Sequence, residues 1–189
     1  MNLYSLCMLT NKKPTTDVFC RATMVLIGGG APDKMSVGGA VIVSPDGLAV
    51  TNFHIATLFN ERIIGLLSDG CVVRVTKFLA GNPLTDVALV QLDKRDLPWV
   101  PVAQTAPEMA DSIVMIHHTE NRFYTYDRGY IKRYPMIGTK PWMEISADFA
   151  PGGSGCGVFN SNHELVGLGK NIEFSHGWHS GPTDKYLAC

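Results

Sequence analysis

A glycine-rich stretch from Phe149 to Val158 places one serine, Ser154, among four glycines and before an apolar run typical of a strand. Glycine adopts backbone angles that other residues avoid and leaves no side chain in the way. Such a loop can keep the Ser154 hydroxyl exposed while backbone N–H groups turn toward one point. Acyl transfer needs both features, an exposed nucleophile and fixed donors for the oxyanion. The alternative interpretation is a glycine-rich hairpin turn.

A histidine and an aspartate upstream complete a set that can activate a serine. His54 lies where a predicted strand ends and a short helix begins, and Asp86 opens an apolar strand. Taken singly, His54 fits a structural or exposed histidine, and Asp86 fits a turn residue. Together with Ser154 they follow the chain order His, Asp, Ser, and they supply a general base, its orienting carboxylate and a nucleophile.

The elements that must position these residues are short β-strands. Turns such as Ser44-Pro45-Asp46-Gly47 separate them, because proline presets φ and glycine accepts positive φ. One short helix is predicted over 54–59. Strands at this spacing indicate barrels or a sandwich, and two lobes of about six strands fit the length. The predicted strands are 22–27, 38–43, 48–52, 62–67, 71–79, 86–92, 112–116, 123–126, 129–132, 143–146, 158–159 and 164–168.

Composition limits the classes of function and partner. The 189 residues suit one domain or two small lobes, and 46% hydrophobic residues supply a sizeable core. A formal net charge of −1 gives no basic field for nucleic acid. No run approaches the ~18 apolar residues of a membrane span. We therefore expect no nucleic-acid partner and no membrane span, and the oligomeric state is not predicted.

The cysteines and histidines indicate neither disulfides nor a metal site. Five cysteines at irregular spacing give no disulfide framework. The pairs His117-His118 and His176/His179 lack the further ligands of a zinc site, so we expect no metal and no cofactor. The first residues also lack the basic region of a signal peptide. Together these features predict a cytoplasmic location if the N-terminus shown is natural.

Three segments resemble the motifs of trypsin-like serine peptidases and follow one another in the order of that family. In style they are closest to the bacterial HtrA/Deg branch. They are the histidine segment 41–54, the aspartate motif 85–89 and the nucleophile loop 152–156. The strand led by Gly129 also resembles one in the second barrel of that family. The resemblance covers about 22–171.

The resemblance implies an all-β fold of two six-stranded antiparallel β-barrels with the active site in the cleft between them. It divides the chain into a peripheral segment (1–17), a first barrel lobe (18–95) and a second barrel lobe (96–189), together one peptidase domain. His54 and Asp86 then come from the first lobe and Ser154 from the second.

By the same resemblance we expect the chain to be a serine endopeptidase that acts on a polypeptide substrate through an acyl-enzyme. Ser154 attacks the scissile carbonyl, His54 transfers the proton, and Asp86 orients the imidazole. The oxyanion hole is expected from the backbone of Gly152, Gly153 and Ser154.

A substrate pocket is expected from Asp148, Phe149, Leu168, Lys170 and Asn171. Asp148 lies where members selective for Lys or Arg carry an acidic residue, which would favour a basic P1 side chain. Alternatively, Asp148 braces the nucleophile loop by accepting hydrogen bonds from backbone N–H groups. Lys170, if it meets Asp148, would neutralise it and favour a smaller or apolar P1.

The chain also departs from the family pattern. Gly153 stands where an asparagine or aspartate is usual, Cys156 replaces a usual glycine, and no PDZ-like segment is expected after the barrels. A compact barrel pair without disulfides also resembles the polyprotein proteinases of some RNA viruses. The alternative function is a catalytically silent or switchable barrel that acts as a peptide-binding or scaffolding module. An esterase is disfavoured because its serine elbow needs a parallel sheet with helices.

Overall fold

The computed structural model describes residues 17–28, 36–58, 63–119, 122–137, 139–149, 152–171 and 185–188. The chain forms two closed barrels of six antiparallel strands each, so the predicted all-β fold and double barrel are confirmed. Among the described helices, none is long and apolar enough to cross a membrane.

The first barrel closes in the order β1-β2-β3-β6-β5-β4. Its core is a cluster of aliphatic side chains that alternate with outward-facing residues along the strands, as in β6. The short helix α1 (Asp17–Ala22) precedes β1, and the short helix α2 (Phe53–Leu58) follows β3. The strands are β1 (Thr23–Gly28), β2 (Ser36–Ile42), β3 (Leu48–Asn52), β4 (Ile64–Leu67), β5 (Val72–Asn82) and β6 (Val87–Leu92).

The second barrel closes in the order β11-β14-β13-β12-β7-β8 and has its own apolar core. A small hairpin of two two-residue strands, β9 (Met136–Ile137) and β10 (Lys140–Pro141), stands apart from it. The barrel strands are β7 (Ser112–His117), β8 (Thr125–Arg133), β11 (Met143–Ile145), β12 (Gly157–Phe159), β13 (Leu165–Asn171) and β14 (Lys185–Ala188).

Several elements differ from the predicted ones. The segments 123–126 and 129–132 were predicted as two strands, but residues 125–133 form the single strand β8, and Phe123 and Tyr124 lie in a turn before it. Gly129 does not interrupt it: a Cβ there would lie 2.6 Å from the backbone nitrogen of Ala147, so the glycine allows the segment after β11 to approach closely. The helix α1 and the strands β9, β10 and β14 were not predicted, because such short elements carry little periodic signal. The predicted peripheral segment 1–17 lies outside the described residues except for Asp17, the first residue of α1.

The two barrels pack directly on each other. A third apolar cluster contains Val41 of the first barrel with Phe159 and Leu168 of the second, and Phe19 of α1 stacks on Phe159 at 4.7 Å between ring centroids. The segment between the barrels contacts both of them: Leu97 is buried in the core of the first barrel, and the Ala103 N–H donates to the Leu165 carbonyl of the second at 2.9 Å. The lobe boundary at residues 95 and 96 stays a prediction.

Candidate active site

Strand pairing brings His54 and Asp86 together. In the β3–β6 ladder, Asn52 at the end of β3 lies opposite Val87 at the start of β6. His54 follows two residues after Asn52, on the first turn of α2, and Asp86 directly precedes Val87. The His54 ring donates from Nδ1 to Asp86 Oδ2 at 2.7 Å, and the His54 backbone N–H donates to Oδ1 at 3.0 Å. Both oxygens of the carboxylate therefore hold the histidine.

Asp86 is fixed through its backbone as well. It has a φ of 57°, a left-handed conformation that non-glycine residues seldom adopt. Its carbonyl oxygen accepts hydrogen bonds from the Phe53 N–H at 2.9 Å and from Asn52 Nδ2 at 3.1 Å. These bonds from β3 and α2 hold the residue in a strained conformation, which is a recurrent property of functional sites.

A third donor reaches the same carboxylate from the second barrel. The Lys170 ammonium, on β13, lies 2.9 Å from Asp86 Oδ2. Burial alone would raise the pKa of Asp86, but the hydrogen bonds from the His54 ring, the His54 backbone and Lys170 outweigh it. They lower the pKa of Asp86 from 3.8 to about 2. The carboxylate is therefore ionised at neutral pH although it is only 3% exposed.

The loop that carries Ser154 packs against the first barrel. The Gly39 N–H of β2 donates to the Ser154 carbonyl at 2.7 Å, and the Gly155 N–H donates to the Gly169 carbonyl at 2.9 Å. Gly155 has a φ of 77°, and a Cβ on it would lie 2.2 Å from the Gly39 carbonyl oxygen. Only glycine fits this position. The neighbouring Ser154 is half-buried, and the choice between a nucleophile loop and an ordinary glycine-rich turn stays a prediction.

Within the described residues, no hydrogen bond joins Ser154 Oγ to the His54 ring. The two residues nonetheless share a neighbourhood. A Cβ added at Gly38 would lie 3.3 Å from the Ser154 carbonyl oxygen and 3.0 Å from the Ile55 side chain, which is next to His54. Bonds between a nucleophile and its base often form only when substrate binds.

The segment predicted to form the oxyanion hole contains a residue that favours glycine. Gly152 has a φ of 99°, and a Cβ there would lie 2.8 Å from the His118 carbonyl oxygen. Among the described residues, none accepts a hydrogen bond from the N–H groups of Gly152, Gly153 or Ser154. Gly153 is buried while Gly152 and Ser154 are half-buried, and the assignment of these donors to an oxyanion hole stays a prediction.

The predicted pocket residues lie in different environments. Asp148 is exposed, and its backbone N–H donates to Asp127 Oδ2 at 2.6 Å. Phe149 and Leu168 are each 2% exposed and belong to apolar clusters. Lys170 binds Asp86. Asn171 is the last residue of β13, and its side chain lies outside the described part of the chain. That these five residues line a substrate pocket stays a prediction.

The contact of Lys170 with Asp86 is the feature that sequence reasoning missed. Lys170 follows the buried residues Leu168 and Gly169 on β13, so alternation along the strand indicates its face but not its partner. The partner lies on the other barrel, and only the packing of the two barrels determines it.

Solved structures and curated proteins resemble this chain over most of its length. The HtrA-type protease AlgW with a tripeptide matches with a TM-score of 0.78 at 22% identity, over 92% of this chain and 57% of its own. A serine endoprotease from Yersinia pestis matches with a TM-score of 0.76 at 22% identity, over 92% and 60%. These two likenesses concern the fold.

Among curated proteins, a probable periplasmic serine endoprotease, DegP-like, from Pseudomonas putida (strain W619) is 28% identical over 145 residues. The match covers 74% of this chain and 30% of that protein. The protein of the same name from Pseudomonas fulva (strain 12-X) is 27% identical over 150 residues, covering 77% and 31%. The chain thus spans about 30% of the length of the curated relatives it matches.

The prediction of a cytoplasmic location is wrong on this comparison, because these relatives are named periplasmic. Cys20, Cys71 and Cys156 are indeed free thiols. Free thiols do not identify the compartment, however, because barrels held by apolar cores need no disulfide in either one.

The comparisons confirm the resemblance that the three motifs predicted, including its HtrA/Deg character. A family model described as "Trypsin-like peptidase domain" matches residues 38–168, which is more than half of the chain. The chain belongs to the trypsin-like peptidase family.

Proposed function

We propose that the chain is a serine endopeptidase that cleaves polypeptides through an acyl-enzyme, with His54, Asp86 and Ser154 as catalytic residues. The observation that carries the proposal is the hydrogen bond of 2.7 Å between His54 Nδ1 and Asp86 Oδ2. Relatives named as serine endoproteases support the same reaction.

In the proposed reaction, the Ser154 hydroxyl attacks the carbonyl carbon of the scissile bond while His54 Nε2 accepts its proton. The tetrahedral intermediate then collapses, and the imidazolium gives the proton to the leaving amine. Water attacks the acyl-enzyme with the same help from His54 and releases the new carboxyl group. Asp86 accepts a hydrogen bond from Nδ1–H, which leaves Nε2 free to act as the base, and its charge stabilises the imidazolium.

The oxyanion of the intermediate is proposed to bind the backbone N–H groups of Gly152, Gly153 and Ser154. In serine peptidases the loss of one such donor costs about 2.7–4 kcal/mol of barrier. The positive φ of Gly152 supports this role, because it orients the peptide in a way that a residue with a side chain would resist.

A fluorophosphonate probe tests the proposal, because it reacts only with a serine that its surroundings activate. We expect labelling of the wild type and none of Ser154→Ala or His54→Ala. Ser161→Ala, at an exposed turn position, is the matched control and should label like the wild type. Casein hydrolysis by the same four proteins should follow the labelling, and circular dichroism checks that each variant is folded.

Full labelling and full casein hydrolysis by Ser154→Ala would overturn the assignment of the nucleophile. A folded wild type that neither labels nor cleaves casein would contradict the proposed activity. That result would favour the alternative, a silent or switchable barrel that binds peptides.

A further inference from the structure

One oxygen of the Asp86 carboxylate is shared between the proposed base and a cation. Oδ2 accepts from His54 Nδ1 at 2.7 Å and lies 2.9 Å from Lys170 Nζ. The two donors come from different barrels, His54 from α2 and Lys170 from β13. The His54–Asp86 pair is therefore exposed to the positive charge of a residue outside the pair.

The Lys170 side chain is held in this position by more than the ion pair. Its ammonium lies over the Trp142 ring, 5.3 Å from the ring centroid, and Trp142 is itself 7% exposed. A cation over the face of an indole is attracted by the ring quadrupole. The Lys170 side chain is 27% exposed, so water screens its charge only in part.

Hydrogen bonding alone does not require a lysine here. The His54 N–H and the His54 ring already donate to Oδ1 and Oδ2, and a neutral hydroxyl or amide would supply a third donor. A lysine adds a full positive charge next to the carboxylate that stabilises the imidazolium. That charge opposes a second positive charge on His54 and offsets part of the attraction of Asp86.

Resting on the function proposed above, we propose that Lys170 is a positioning residue that holds the Asp86 carboxylate against His54 and offsets part of its negative charge. The serine then stays reactive at a lower pH than the His54–Asp86 pair alone would allow. In the described part of the chain, the titratable groups that contact Asp86 are His54 and Lys170. Trp142, packed on Lys170, brings no charge.

The direct test follows the protonation of the His54 ring by NMR, through its Hε1–Cε1 signal in the full chain. His54→Gln assigns the signal. We expect Lys170→Met, which keeps length and loses charge, to raise the midpoint of the His54 titration. Lys170→Arg keeps the charge and should keep the wild-type midpoint. Lys132→Met, which removes a lysine bound to Glu144, is the matched control and should also leave the midpoint unchanged.

An unchanged midpoint in Lys170→Met, or the same displacement in Lys170→Arg, would overturn the proposal. If Lys170→Met does not fold, Lys170→Gln gives the same comparison, because it keeps a donor without the charge. The rate of fluorophosphonate labelling supplies a second readout. Below both midpoints, the uncharged variant should react more slowly than the wild type, because less of its base is neutral.

The NMR titration does not depend on catalysis. A wild type that fails to label would contradict the proposed peptidase activity, while the titration would still decide the role of Lys170. A wild type that labels, together with an unmoved titration, would overturn the role of Lys170 alone.

Discussion

At the scale of single residues, Asp86 is the acid on which the site depends. Its side chain accepts from His54 twice and from Lys170, while its carbonyl accepts from Asn52 and Phe53. The side-chain bonds outweigh the effect of burial and lower the pKa of Asp86 to about 2. The same bonds that orient the proposed base therefore also stabilise the folded chain, in a way that depends on pH.

We expect Asp86→Asn to remove a contribution to the free energy of unfolding that is complete above about pH 4 and declines below it. The pKa of Asp86 is lower in the folded state, about 2, than the ordinary 3.8. The group therefore stabilises the wild type above about pH 4, and this contribution is lost as the pH falls toward 2. At most it is about 2 kcal/mol, at 1.36 kcal/mol per pH unit.

Urea unfolding of the wild type and Asp86→Asn at pH 5, 4 and 3 measures this contribution as a difference in the free energy of unfolding. The difference should shrink steadily as the pH falls. Asp46→Asn, at a side chain that is 73% exposed, is the control and should differ from the wild type by a constant amount. A constant difference for Asp86→Asn would contradict the prediction.

At the scale of elements, the nucleophile loop and β2 meet through glycines. A Cβ on Gly39 would lie 2.5 Å from Cys156 Sγ, and a Cβ on Gly155 would lie 2.2 Å from the Gly39 carbonyl oxygen and 2.7 Å from Thr51 Oγ1. Thr51 Oγ1 also donates to the Gly39 carbonyl at 2.7 Å. The position of Ser154 thus depends on two strands of the other barrel.

We predict that Gly155→Ala destabilises the chain by at least about 2 kcal/mol and abolishes fluorophosphonate labelling, because the new methyl group meets a backbone carbonyl at a strained φ. Gly70→Ala is the matched control: its φ of 84° is similar to 77° at Gly155, but a Cβ there meets no atom within 4 Å. The control should cost only about 1 kcal/mol, the penalty of the left-handed backbone. Urea midpoints and labelling measure both, and equal losses would refute the close contact at Gly155.

Features of the site that local sequence patterns mark could be predicted, and contacts between distant segments could not. The pairing of His54 with Asp86 follows from two strand ends that the sequence marks clearly, because both strands are long enough to show their pattern. The loop around Ser154 is likewise marked by its glycines. Lys170 on Asp86 and the strand β14 depend instead on how distant segments pack, and no local pattern encodes such contacts.

At the scale of the whole molecule, His118 links the two barrels to the loop of Ser154. Tyr124 donates from its hydroxyl to the Leu66 carbonyl of the first barrel and from its N–H to His118 Nδ1 at 3.1 Å. The His118 carbonyl in turn lies against Gly152. His118 is 1% exposed, and burial lowers its pKa from 6.5 to about 4.

His118 Nδ1 must stay an acceptor for the Tyr124 N–H, so protonation of the ring would break this link as well as bury a charge. The unfolded chain binds the proton near pH 6.5 and the folded chain only near pH 4, so the free energy of unfolding should fall as the pH drops between these values. The loss reaches about 3 kcal/mol. The loss from His118 occurs at higher pH than the loss from Asp86, so one pH titration of the free energy of unfolding separates the two contributions.

We expect His118→Asn to flatten the dependence of stability on pH between 7 and 4, because the Asn amide oxygen replaces the Nδ1 acceptor and does not titrate. The variant loses ring packing on Phe123 and Tyr124 and should be less stable than the wild type at pH 7. Its disadvantage should then narrow toward pH 4. His163→Asn, at an exposed histidine, keeps His118 and should keep the wild-type slope. Urea unfolding at half-unit steps of pH measures the three slopes, and a wild-type slope in His118→Asn would show that the acid sensitivity of the barrel pair arises elsewhere.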